Sequence, residues 1–443
     1  MSKEKFGIAS EGHISGDVVY RYLKAYAEEK DILRFFRPSV LVDSCEKMEE
    51  VWVVRCGNDK SEQEVFTTRK LVIATGLTST PLLPTFPGQD SFQKPVFHVK
   101  DLNAQFSNLQ KIATSVTVYG SSKSAYDAAY LFVTHGIHVD LIVRESGKGP
   151  IWIGPALLTP FKIRLENVAI TRVLSIFSPC YLADKDGYSW IRYLLHQTML
   201  GRLFVNVVWF LLTLGLRMEV PLGSHPELRK LQPWIDPFWV GTSLSFLSYP
   251  QNFWDLTTKK RMISVYIADI TKLSASTIHL SAGEELKTDA LTCSTGWDPV
   301  PPITFLPEGI DLGLPGTEIK EKEAEVWRSA DDIILERFPM LRNAPKIQNP
   351  NADPKQDIRG KAESDKHDDR IRKACILHNF ITPPPSLHSL NNIVFMGLMQ
   401  TAHTPLVAYL QGLWVCAFFD GKISALSPLY DGSFPPLSSA SIK

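Results

Sequence analysis

The sequence has no excess of charge of either sign: 47 lysines and arginines balance 47 aspartates and glutamates over 443 residues. A chain that gathers polynucleotides through its overall field needs a basic surplus, so nucleic acid is not an expected partner. The six cysteines, at positions 45, 56, 180, 293, 375 and 416, include no C-x-x-C pair. A dithiol redox centre or a zinc site needs such spacing, so neither a metal nor a redox disulfide is expected. The opening stretch MSKEKFGIASEGH has no apolar core, which argues against a secretory signal and leaves a reducing, cytoplasmic setting as the expectation. Long apolar runs are scarce. LFVNVVWFLLTLGL, residues 203–216, is 14 residues long, short of the roughly 20 that span a bilayer. It is expected to pack on the protein. The alternative is monotopic membrane contact through Trp209 and the flanking Arg202 and Arg217.

What is present suits a soluble chain of two or three domains, with 44% apolar and 21% charged residues. Apolar spacing predicts a helix over 17–29 and strands over 51–56 and 64–76. Strand 114–120, a helix to about 135 and strand 138–144 together have the length of a right-handed strand–helix–strand crossover. From 150 to 262 tryptophan and proline become dense, and a helical run occupies 187–216. This region reads as a largely helical insertion. Strand character returns at 264–270, 277–281 and 289–296. Residues 346–370 are polar and charged, as in a loop or disordered insert. A last strand at 391–397 leads into a helix over 404–421, with Pro405 where a first turn accepts proline. The fold class is α/β.

Within VTVYGSSKSAYDAAYLF (116–132), Gly120 follows a strand directly, where a tight turn must form. Ser122 and Ala125 hold the places of the second and third small residues of a dinucleotide-binding turn. Backbone N–H groups and the positive end of the helix dipole would suit a diphosphate there. Lys123 could add charge, and Ser121, Ser122 and Ser124 could donate hydroxyls. Arg144, at the end of the next strand, could receive a 2′-phosphate, although Glu145 beside it leaves the coenzyme open. The same residues also suit a plain structural crossover. LVIATG (71–76) and LTCSTG (291–296) are similar strand ends, placing Thr75, Gly76, Thr295 and Gly296 at turns. They read either as strands returning from one nucleotide domain into another, or as unrelated buried strands.

Four stretches carry a resemblance: LVIATGLTSTPLLPTFPGQDSFQKPVFHVKDL, VTVYGSSKSAYDAAYLF, VRESGKGPIW and NIVFMGLMQTAHTPLVAYLQGLWVCAFFDGK. Together they resemble the flavin-containing monooxygenase group, and most of all the FAD-dependent monooxygenase-like proteins of fungal secondary-metabolite and mycotoxin biosynthesis. The resemblance runs from about residue 7 to 422. It implies two interleaved Rossmann-like domains, with FAD-binding segments at 1–105 and 300–443. An NADPH-binding domain would occupy 106–299, carrying the helical insertion. It also implies FAD and NADPH as cofactors, and a small-molecule substrate oxygenated with O2. Phe92 and His98 match the ends of the group's F-x-G-x-x-x-H signature, while Lys94 replaces its glycine and Leu102 stands where an aromatic is usual. Gly397, Leu398 and Gln400 match the segment before the helix that faces the flavin. The group's N-terminal strand and G-x-G-x-x-G turn find no match, so the first nucleotide domain is expected to be N-terminally incomplete. A flavin reductase or oxidase that oxygenates nothing, and a non-catalytic homologue, remain alternatives. The substrate and the type of oxygenation are not specified.

Overall fold

The computed structural model describes residues 14–58, 63–154, 157–158, 163–164, 171–180, 187–241, 247, 249–314, 321–345, 392–399 and 404–423. Two compact units result, one formed by residues 1–71 with 302–310 and the other by 72–301 with 311–443.

The first unit carries the helix Gly16–Glu29, started by Ser15, whose hydroxyl accepts from the Val18 N–H. Its sheet has four strands in the order Thr304–Leu306, Val40–Met48, Val51–Asn58, Gln63–Thr68. Trp52, Val54 and Cys56 alternate inward beside Cys45, the two-residue period of a sheet with one covered face. The strand Val40–Met48 was not anticipated, because Asp43, Glu46 and Lys47 interrupt its apolar alternation. The single strand expected over 64–76 is two, Gln63–Thr68 and Leu71–Ile73. The charged pair Arg69–Lys70 separates them.

The second unit is built on a five-stranded sheet in the order Ile263–Ile267, His138–Val143, Ser115–Tyr119, Leu291–Cys293, Val96–His98. All neighbours are parallel. Val116 to Tyr119 and Val139 to Val143 are buried without interruption, as strands covered on both faces require. The helix Lys123–Thr134 buries Ala125, Tyr126, Ala128, Ala129, Phe132 and Val133, the spacing of one helical face. Three alanines on that face let it approach the sheet closely. The expected α/β class and the strand–helix–strand unit thus hold. A three-stranded antiparallel sheet (Ile270–Ser274, Thr277–Leu280, Glu285–Lys287) lies in the same unit.

The region 150–262 is largely helical among its described residues. Its expected single helical run is two helices, Ser189–Gln197 and Met199–Glu219, divided at an extended Thr198. Gly201 permits that corner, since a Cβ there would strike the Leu194 carbonyl. The 14-residue apolar run is therefore part of a 21-residue helix. Its stretch Met199–Met218 has a mean hydropathy of 1.8, long and apolar enough by length and composition to cross a membrane. The expected polar insert at 346–370 lies outside the described residues. Strand Ile393–Phe395 pairs with Leu71–Ile73, and helix Thr404–Phe419 packs Val415 and Phe418 against Val394.

Candidate functional site

The Gly120 turn sits at the C-terminal end of the parallel sheet, between strand Ser115–Tyr119 and the helix that begins at Lys123. Gly120 has φ +128°, and a Cβ on it would run into the Ser294 carbonyl oxygen. Glycine is required here by the neighbouring strand end, before any ligand is considered. The Gly120 N–H donates to the Ile142 carbonyl at 2.9 Å, and the Ser294 N–H donates to the Tyr119 carbonyl at 2.8 Å. Three strand ends therefore fix the turn.

The serines are held, each by its own partner. Ser121 donates its hydroxyl to the Gly149 carbonyl at 3.1 Å, and its carbonyl accepts from the Ile151 N–H at 3.3 Å. The Ser122 hydroxyl bonds the Ser294 hydroxyl at 2.8 Å and makes no side-chain cap on the helix. The Ser122 carbonyl accepts from the N–H groups of Ala125 and Tyr126. The N–H groups of Lys123 and Ser124 precede these, at a helix start where intrahelical partners are lacking. That start can receive an anion. Lys123 itself is turned along the helix to the Asp127 carboxylate, with its ammonium 5.2 Å from the centre of the Tyr249 ring. Tyr249 donates to the same carboxylate at 2.5 Å.

Arg144 follows strand His138–Val143 and is exposed. Burial pushes the neighbouring Tyr119 hydroxyl up to about 12, with Asp269 adding to the rise and Arg144 opposing it. Both charges therefore act on that hydroxyl. Asp269 is engaged by Ser146, whose N–H and hydroxyl donate to it at 3.0 and 2.9 Å.

The remaining sequence-predicted residues gather elsewhere in the same unit. Gly76 and Gly397 are neighbours: a Cβ on Gly397 would stand 3.7 Å from the Gly76 Cα. Both have positive φ, +68° and +79°. The Gly397 N–H donates to the buried Gln411 side chain at 3.2 Å, and Leu398 is buried beside it. The Thr75 hydroxyl is buried without a hydrogen-bond partner. Gln400 lies outside the described residues. Thr295 donates its hydroxyl to the Leu82 carbonyl, and the Leu82 N–H donates to the Gly296 carbonyl at 3.1 Å. A chain of contacts from Ser79, which donates to Thr75 at 2.7 Å, to Lys100, which donates to Ser79 at 2.9 Å, leads to His98.

His98 is 2% exposed. Its Nδ1 accepts from the Lys100 N–H at 3.2 Å, and its ring stands edge-on to Trp297 at 4.8 Å. Nε2 is buried with no hydrogen bond of good geometry. Burial pulls its pKa down, while the nearby Gly296 carbonyl and Asp101 hold it up in part. The imidazole is therefore held neutral near pH 7, with one nitrogen unspent.

Two contributors were not singled out from sequence. Ser294, inside the quoted LTCSTG, closes the Gly120 turn, and its place between two marked strand ends was the available signal. Asp289 accepts from Thr114, Ser115 and Lys94 at the start of three adjacent strands. Against its burial, these donors keep the carboxyl below its usual value. Asp289 ties the sheet together at the end opposite the turn.

The family described as pyridine nucleotide-disulphide oxidoreductase matches residues 1–174. The disulphide part of that description has no counterpart among the described residues, where Cys45, Cys56, Cys180, Cys293 and Cys416 are free thiols. Over 94% of its length the chain is 28% identical to an FAD-dependent monooxygenase of Pyrenophora dematioidea, covering 76% of that protein. It is 29% identical over 95% of its length to the FAD-dependent monooxygenase rstn6 of Aspergillus nomiae, covering 73% of it. A third relative, resA of Aspergillus sclerotiorum, is 27% identical over 94% of the chain. Among solved structures, Tmm from a Pelagibacter strain aligns over 93% of the chain at 13% identity and a TM-score of 0.46. The chain spans 55% of the length of that structure. The chain is thus a homologue of proteins named FAD-dependent monooxygenases in fungi, as the sequence motifs implied.

Proposed function

We propose that the chain is an FAD- and NADPH-dependent monooxygenase that oxygenates an organic small molecule with O2 in secondary-metabolite biosynthesis. The observation that carries the reading is the turn at 120–124. There a glycine forced by its neighbours, two serines locked in place and an uncapped helix start present a preorganised cradle for a diphosphate. Homology to named monooxygenases supports the reaction class. On this reading residues 106–299 bind NADPH, and 1–105 with 300–443 belong to FAD.

The residues present fit both cofactors. Lys123 and Ser124 would offer backbone N–H groups to the NADPH diphosphate, and Arg144 would face the 2′-phosphate. Thr75, Gly76, Gly397 and Leu398 would hold the flavin: its edge can approach the two open glycines, and the unpartnered Thr75 hydroxyl can bond it. The bound cofactors supply the redox chemistry. The protein orients them, and a neutral His98 offers Nε2 to a ligand group without placing a charge there. The five free thiols support a reducing, cytoplasmic setting.

The test uses Ser124→Glu. A carboxylate in the first turn favours the helix through its dipole, so the fold is kept, while a bound diphosphate is repelled. NADPH affinity should fall about tenfold or more with no loss of melting temperature, one tenfold step being about 1.4 kcal/mol. Unchanged affinity would remove the diphosphate from this turn. With FAD, NADPH and candidate lipophilic substrates, incorporation of 18O from 18O2 into product should accompany NADPH loss. NADPH oxidation that yields peroxide alone would make the chain an oxidase.

A further inference from the structure

The helix Met199–Glu219, about 31 Å long at 1.5 Å per residue, has two unlike sides. On one, Val205, Thr213 and Leu216 are buried, and Trp209 donates its indole N–H to the Phe177 carbonyl at 2.9 Å. On the other, Leu200, Phe204, Val207, Phe210, Leu214 and Met218 are all exposed. At 100° per residue these six fall within an arc of about 120°. Leu200 is 79% exposed, Phe210 66% and Met218 78%. The preceding helix adds exposed Trp190 and Tyr193. A continuous apolar face of this length is a docking surface and not scattered surface residues.

Charge decides what docks there. Residues 187–218 contain no aspartate or glutamate, while Arg192, Arg202 and Arg217 are basic. A second copy, packed antiparallel about the helix midpoint between Trp209 and Phe210, would bring Arg202 of one helix to Arg217 of the other. A parallel pairing would bring each arginine to its own duplicate. In neither does the helix 199–218 supply an acid to offset the repulsion. An anionic surface suits the same pattern: the apolar arc enters the acyl boundary, while Arg202 and Arg217 reach phosphates and Trp190 and Tyr193 lie at the rim. The anchored side of the helix prevents it from crossing the bilayer, because Val205, Leu216 and the Trp209 indole are committed to protein partners. We propose that this face docks on an anionic phospholipid bilayer, the helix lying in the plane of the interface.

The test is flotation of the full chain with vesicles of phosphatidylcholine alone and with 30% phosphatidylserine, beside the double variant Phe204→Glu/Phe210→Glu. Both positions are exposed, so unchanged circular dichroism and melting temperature verify folding. The wild type should float with the anionic vesicles, less so in 0.5 M salt. The double variant should lose about tenfold or more of that partitioning. Brominated lipid should quench tryptophan fluorescence in the wild type, and this quenching should vanish in Trp190→Phe to the extent that Trp190 contributes. Failure to float, equal flotation of the double variant, or equal binding to neutral vesicles would overturn the proposal. A wild-type dimer that the double variant converts to monomer, without vesicle binding, would assign the face to a second copy.

Discussion

Arg144 is the residue on which coenzyme choice turns. It is exposed at the end of a buried strand, with the acids near it either engaged, as Asp269 is by Ser146, or adjacent in sequence, as Glu145 is. A charge-assisted bond to a 2′-phosphate is worth roughly 1.5–3 kcal/mol. Arg144→Asp should therefore shift the ratio of NADPH to NADH affinity by about tenfold or more toward NADH. A ratio that stays put would take the 2′-phosphate away from Arg144. His98 makes a different prediction at the same scale. Its folded pKa is depressed by burial, so the unfolded chain binds the proton more readily. The stability it contributes is present above its unfolded value near 6.5 and is lost as pH falls from there toward the folded pKa. Melting temperature should decline on acidification through this window. His98→Asn keeps an acceptor for the Lys100 N–H but cannot titrate, so its decline should be shallower. Identical slopes would mean that His98 does not charge on unfolding.

The helix Lys123–Thr134 shows how the cradle depends on packing. Its alanines at 125, 128 and 129 are fully buried, and they set the distance from the sheet at which the helix start meets Ser294. Ala129→Leu should cost roughly 1–3 kcal/mol by overpacking. Phe132→Ala should cost roughly 3–5 kcal/mol by leaving a cavity. Denaturant midpoints check both, and a change under 0.5 kcal/mol, about the size of an ordinary surface substitution, would show that the helix is not clamped. This element was legible in the sequence because its apolar spacing, its glycine and both flanking strands agree. The strand Val40–Met48 was not, since its inward positions alternate with Asp43 and Glu46, and only the partner strands Val51–Asn58 and Thr304–Leu306 reveal them. Thr198, an ordinary residue in sequence, splits a helical run because it takes an extended backbone and caps the next helix through the Gly201 N–H. The candidate site was legible as residue types at strand ends. Its locks were not, for Ser294 and Gly149 meet the Gly120 turn only in three dimensions.

At the scale of the whole molecule the two units differ in what they bury. Among the described residues, the first unit's buried apolar side chains are Val18, Cys45, Trp52, Val54 and Cys56. The second buries the parallel sheet and the helix against it as one extended cluster. A small core supports less free energy than a large one, and regions with little buried apolar surface open below the global unfolding energy. The cysteines report this directly. Cys45 and Cys56 lie in the first unit, and Cys293 lies at 0% exposure in the parallel sheet of the second. Burial pushes the Cys45 thiol up to about 11 and the Cys293 thiol up to about 12, so neither reacts while its unit stays closed. Exposed Cys416 should be alkylated at once in native buffer. With rising urea, Cys45 and Cys56 should become reactive together, at a concentration well below that which exposes Cys293. Peptide mass spectrometry would resolve each thiol. If Cys293 and Cys45 became reactive along one common curve, the chain would unfold as a single cooperative body, and the division into two units would have no energetic counterpart.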